Sequence, residues 1–156
     1  MHTRWKPHVT LAAVIEQDGK FLMVEEQTTE GLRLNNPAGH LDPGESPEQG
    51  CAREVLEETA FEFNPTALVG IYISRQFRKE SPITYMRLAY CGDLGALDPH
   101  RRLDHGIVRT LWMSADELRA CPERHRSTMV MRCIDDYLAG KRFPLALVTT
   151  DPSVYD

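Results

Sequence analysis

The sequence predicts a mixed α/β domain, and three observations carry that prediction. Short β-branched or apolar runs recur between turn signals, as strands do. Two serines, Ser46 and Ser114, stand at helix-start positions with Gln49 and Glu117 three residues on. A length of 156 residues, 42% hydrophobic and 26% charged, is enough chain for one core, so residues 1–156 are expected to form a single domain.

In chain order, "HVTLAAVIEQ" and "KFLMVEEQ" read as strands joined by a hairpin around "DGK". "TTEGLRLNN" is expected to be a loop and "PAGHL" a short strand. Ser46 as N-cap, Pro47 at the first helical position and Gln49 closing a capping box start a helix over Pro47 to Thr59. "ALVGIYIS", "ITYMRLAYC" and "TLWM" are further strands. A short helix follows Ser114, and a last one runs from about Ser127 to Ala139, stopped by Gly140. No repeat, low-complexity tract or linker interrupts this order.

Composition removes several function classes. A net charge of −5 argues against a nucleic-acid or anionic-membrane surface, both of which need a basic face. "VTLAAVI" is too short to span a bilayer and runs directly into Glu16, Gln17 and Asp18. Cys51, Cys91, Cys121 and Cys133 form no C-x-x-C pair, which suggests neither a zinc site nor a disulfide framework and fits reduced thiols in the cytoplasm.

The stretch "GHLDPGESPEQGCAREVLEETAF", residues 39–61, is the unusual one. At ~100° per residue, Glu54, Glu57 and Glu58 share an arc of about 100°, while Cys51, Ala52, Val55, Leu56 and Thr59 take the opposite side. Glu54 and Glu58 are a like-charged i,i+4 pair that opposes helix formation. Taken alone, this is a solvated, charge-rich helix face. Its surroundings point elsewhere, because Glu45 stands on a Pro-Gly turn at the helix entrance and Gly39 lets a backbone carbonyl approach. Arg53 sits four residues before Glu57 and reaches toward the neighbouring loop. Carboxylates gathered without His or Cys suit a hard divalent cation, Mg²⁺ or Mn²⁺, and with it a phosphorylated substrate. An EF-hand is not indicated, since "LDPGESPEQGCA" lacks the alternating acidic ligands of a calcium loop.

Gly39, Glu45 and Arg53-Glu54-Val55-Leu56-Glu57-Glu58 resemble the Nudix box, G-x5-E-x7-R-E-U-x-E-E-x-G-U, where U is bulky and aliphatic. Ala60 departs from it, standing where the family has Gly, so strain or a one-residue shift is expected at the helix exit. "KPHVTLAAVI", "NNPAGHLDPGES", "LWMSADEL" and "GKRFPL" extend the likeness over about residues 3–147, toward the NudJ-type branch of small phosphatases. Leu34 stands where the wider family often has Trp.

The resemblance implies an α/β/α sandwich around a mixed sheet. It implies divalent-metal-dependent hydrolysis of a diphosphate linkage by water attack on phosphorus. The substrate would be a nucleoside di- or triphosphate or a thiamine-related pyrophosphate, and the protein a monomer or homodimer. It places metal ligands at Glu54, Glu57, Glu58 and the Gly39 carbonyl, with Glu45 and Arg53 as a supporting pair. The general base is either a box glutamate, Glu57 first, or an acid from a later loop, for which Asp104 in "RRLDHG" is the candidate. The alternative function is a Nudix-fold sensing module without turnover, a class that usually loses box glutamates.

For the rest of the substrate, Arg87 in an otherwise apolar strand is either a phosphate ligand, a structural ion-pair partner or an outward-facing residue. Trp5 and His8 flank the first strand and are candidates to stack on or hydrogen-bond a ring. His40 points either into the pocket or away from it.

Overall fold

The structure, a computed structural model, describes residues 3–156. Strands β1 (His8–Ala13), β2 (Glu16–Gln17), β3 (Lys20–Thr28), β4 (Gly31–Asn35) and β5 (Ala38–His40) lead into helix α1 (Pro47–Thr59). Strands β6 (Phe61–Arg78), β7 (Ser81–Leu97) and β8 (Ile107–Met113) are followed by helices α2 (Ala115–Arg119) and α3 (Met129–Leu138).

One sheet has the order β5-β1-β7-β6, in which β1 and β7 run parallel and the other pairs antiparallel. The second carries β3 between β4 and β8, with β2 closing a hairpin onto the start of β3. That hairpin turns through Asp18 (φ 52°) and Gly19 (φ 78°), the positive pair that a two-residue type I′ turn demands.

Alternation along β1 divides the interior. Leu11 and Ala13 face Cys51 and Val55 of α1, together with Leu22, Leu88 and Tyr90. Ala12 and Val14 face the other way, toward Val130, Cys133 and Ile134 of α3, with Phe21, Met23 and Leu34. Strands buried on both faces by a helix on each side make the expected α/β/α sandwich with a mixed sheet.

Three local readings need correction. "TTEGLRLNN" is not a loop throughout: Gly31–Asn35 pairs antiparallel with Val24–Thr28. The Thr28 hydroxyl makes the turn by accepting from the Glu30 amide at 3.1 Å and donating to the Gly31 carbonyl at 2.7 Å. The strands read as "ALVGIYIS" and "ITYMRLAYC" are the middles of a much longer hairpin whose 18- and 17-residue arms run through "FEFNP" and "GDLGAL". Pro65 is tolerated there because β6 is an edge strand with bulges, one beside Pro65. Helix α3 begins at Met129, two residues late, with no side-chain cap from Thr128.

Glu25 ties the second sheet together. It is buried and accepts from Arg109 of β8 at 3.0 Å and Arg124 at 2.9 Å. Burial alone would raise its carboxyl, but the two arginine hydrogen bonds outweigh that and hold it below the ordinary glutamate value. A depressed carboxylate contributes stability above its unfolded value and loses it as pH falls through the folded one. Both arginines are well exposed, so Glu25→Gln is expected to cost only about 1–2 kcal/mol at neutral pH. That cost should shrink in acid melts below about pH 4.5, which thermal unfolding across pH checks.

Candidate active site

Helix α1 is fixed at its start by a complete capping box. Ser46 Oγ accepts from the Gln49 amide at 3.1 Å, and Gln49 Oε1 accepts from the Ser46 amide at 2.9 Å. Its exit is equally defined. Ala60 adopts the left-handed conformation (φ 64°) and its amide still reaches the Leu56 carbonyl at 2.9 Å. The alanine takes the left-handed conformation that glycine adopts more easily, so of the two expected outcomes the strain occurs and the one-residue shift does not.

The carboxylate face is not solvated. Glu54 and Glu58 are 8% and 7% exposed, buried alongside Cys51 and Val55, whereas Ala52 and Leu56 of the expected core side are only half-buried. The reason is the edge of β5, which α1 packs against. Glu58 Oε1 accepts from the Ala38 amide at 2.8 Å. At Gly39 the fit leaves no room at all: a Cβ there would stand 2.1 Å from the Glu54 carboxyl carbon. Gly39→Ala is therefore expected to displace Glu54, lowering the melting temperature and abolishing any magnesium-dependent rise in it, both read from one pair of thermal melts.

Arg53 organises the cluster. Its Nε and Nη2 donate to the two oxygens of Glu45 at 2.9 and 2.8 Å, a bidentate clasp between helix and loop. Nη1 donates to Glu54 at 2.8 Å and Glu57 at 3.1 Å, and Nη2 also reaches the His40 carbonyl at 2.9 Å. Asp42 lies 3.3 Å away. The Arg53 hydrogen bonds hold Glu45 below the ordinary carboxylate value, and the Glu45 bonds in turn raise Arg53.

Asp104 arrives from the loop before β8. Its amide donates to the Glu57 carbonyl at 3.0 Å, and the loop is also tied to β3 by the Gln27 amide on Gly106 O at 2.8 Å. Carboxylate oxygens of Glu54, Glu57 and Asp104 all lie within 4.8 Å of one another. Glu58 is outside this trio, its carboxylate held by Ala38. Burial pushes the Glu58 carboxyl up to about 9 and raises Glu54, with neighbouring acids adding to both.

Four carboxylates, Asp42, Glu45, Glu54 and Glu57, thus meet one guanidinium, with Glu58 and Asp104 beside them. One arginine cannot balance that many carboxylates, and a bound cation would. Oxygen donors alone, converging from a helix and a loop, fit a hard divalent ion and not a soft one.

Beside the cluster lies a cavity of about 280 Å³ whose lining includes Gly39, His40, Glu58, Tyr85, Arg87 and Arg126. His40 therefore lines the cavity. His8 reaches the cavity only through it, with His8 Nδ1 3.0 Å from His40 Nε2. Burial, then His8, hold the His40 ring below the ordinary imidazole value. Trp5 is 69% exposed and outside the lining residues, so the structure does not bring it to the pocket. Tyr85, Asn35 and Arg126 also line the cavity, and sequence reasoning missed them. Strand alternation with Arg87 could have found Tyr85, but no local signal marks Arg126.

The NUDIX domain family model matches residues 5–132. Phosphatase NudJ of Escherichia coli (strain K12) is 33% identical over 144 residues, 92% of this chain and 92% of that protein. A NUDIX hydrolase from Nitrosomonas europaea of known structure is 51% identical, with a TM-score of 0.87 over 94% of this chain and 98% of that one. The structure of a UDP-X diphosphatase, 20% identical, superposes with a TM-score of 0.69 over 92% of this chain and 68% of that one, a likeness of fold.

Proposed function

Because the chain belongs to the NUDIX family, we propose that it hydrolyses a diphosphate linkage in a small phosphorylated substrate by attack of water on phosphorus, acting as one catalytic domain in the cytoplasm. The observation that carries this reading is the convergence of Glu54, Glu57 and Asp104 beside the Arg53–Glu45 clasp. Glu54, Glu57 and Asp104 would hold the ion, with Glu58 and the Gly39 carbonyl next to them. Magnesium or manganese, when bound, would neutralise charge on the phosphate oxygens and acidify a water.

The protein's own groups do the rest. Arg53 grips one oxygen of Glu57 at 3.1 Å, which fixes the side chain and leaves its second oxygen facing the ion, where it would also take the proton of a water bound there. Asp104, exposed and on a loop, is assigned to the ion and not to the proton. The Glu45 clasp anchors Arg53 between the loop and the helix, so that its Nη1 stays on Glu54 and Glu57.

The 280 Å³ cavity is at the small end for ligand pockets, which favours a compact substrate such as a nucleoside diphosphate or a thiamine-related pyrophosphate. Phosphate release from a panel of nucleoside di- and triphosphates and thiamine-type pyrophosphates tests the proposal. Release with magnesium and none with chelator is expected. A folded protein that binds members of the panel without releasing phosphate or pyrophosphate in magnesium or manganese would overturn it in favour of a sensing module.

A further inference from the structure

Arg87 has no part in the chemistry assigned so far, yet its setting is unusual. It is the only buried arginine among the described residues, at 8% exposure. On β7 it lies opposite Thr10 of β1 and Tyr72 of β6, so its side chain enters the α3 side of the sheet, where the cavity is. Its guanidinium donates to Asn36 Oδ1 at 2.8 Å and Asn35 Oδ1 at 3.0 Å, and lies 3.7 Å from Cys133 Sγ. All three partners are uncharged.

A guanidinium cannot shed its proton, so burial leaves a full positive charge to be compensated. Of the other shielded arginines, Arg53 meets Glu45, Glu54 and Glu57, and Arg126 meets Glu26 at 3.8 Å, while Arg78, like Arg87, meets no carboxylate among the described residues and donates only to Gln76. Arg87 touches the Arg126–Glu26 pair only through Asn35, whose amide donates to Glu26 at 3.3 Å. The two asparagines hold the fork in place without neutralising it. The open side of that fork is the cavity, which Arg78 and Arg126 also line. A wall of guanidinium groups is complementary to an anion.

We propose that Arg87, held between Asn35 and Asn36, is an anion subsite that takes a phosphoryl oxygen of the substrate, separate from the carboxylate trio. The identity of that anion rests on the hydrolase reading; the positive subsite does not. The residues at 35 and 36 must then be neutral, because an aspartate at either would fill the subsite from within.

Calorimetric titration with inorganic phosphate, in magnesium-free buffer containing chelator, tests this without reference to turnover. Wild type should bind saturably. Arg87→Gln should weaken binding by about ten- to a hundredfold, the range for a charge-assisted hydrogen bond. Asn36→Asp keeps the shape but places a carboxylate on the fork. It should weaken binding as much while melting no lower than wild type, a combination that a merely structural Arg87 would not produce. If Arg87→Gln fails to fold, Asn36→Asp decides alone. Absence of phosphate binding by wild type, or wild-type affinity in Asn36→Asp, overturns the subsite. Loss of the hydrolase reading would instead appear as intact phosphate binding without turnover.

Discussion

Replacing Glu57 by Gln is expected to lower kcat by about 10²- to 10⁴-fold while leaving the fold intact, the range for loss of a positioned proton acceptor. The amide keeps the size of the side chain and can still accept from Arg53 Nη1, which now lies 3.1 Å from Glu57, so the helix-to-loop clasp survives. What disappears is one ligand charge and the basicity of the free oxygen. Substrate affinity should change far less than kcat, because the amide disturbs no part of the cavity wall that Arg87 and Tyr85 supply. Steady-state kinetics with a responsive diphosphate substrate separates the two. Asp104→Asn is the control for the division of labour: as a ligand and not the base, it should raise the magnesium concentration needed for half-maximal rate and leave the pH–rate profile in place. A variant of Glu57 with wild-type turnover, or an Asp104→Asn profile that loses its basic-form limb, would exchange the two roles.

The parts legible in the sequence are those set by local chemistry. The capping box around Ser46 fixes α1 to the residue, and the Asp18-Gly19 turn fixes the first hairpin, because both depend on side chains or φ values within a few positions. Spacing along the helix brings Glu54, Glu57 and Arg53 together for the same reason. What the sequence hides is decided across the sheet. Strand β4 is stabilised by its register with β3, and the outer arms of β6 and β7 by each other, so their own residues carry weak strand signals. Glu58 looks like a third member of a solvated face, and only packing against the β5 edge turns it into a buried acceptor for Ala38. Arg87 reads as an anomaly in "ITYMRLAYC"; its neutral cradle comes from a segment 51 residues away.

Magnesium is expected to stabilise the fold, because a cation that relieves repulsion among Glu54, Glu57 and Asp104 binds the native state and not the unfolded chain. At about a hundred times its dissociation constant, the ion adds roughly 2.7 kcal/mol, a large share of a margin of about 5–15 kcal/mol. For a chain of this size that corresponds to a rise of about 5–11 °C in Tm, reversed by chelator. Replacing Glu54 and Glu58 together by Gln should remove most of the response. The same variant should melt higher than wild type without metal, since both carboxyls are buried and burial disfavours their charged forms. The contacts that hold them persist, because a glutamine oxygen can still accept from the Ala38 amide and from Arg53 Nη1. Melts of both proteins with and without magnesium at fixed ionic strength separate site binding from screening. An equal magnesium response in the two proteins would mean that Glu54 and Glu58 are dispensable to the ion, and would remove the physical reason for burying two carboxylates against one strand edge.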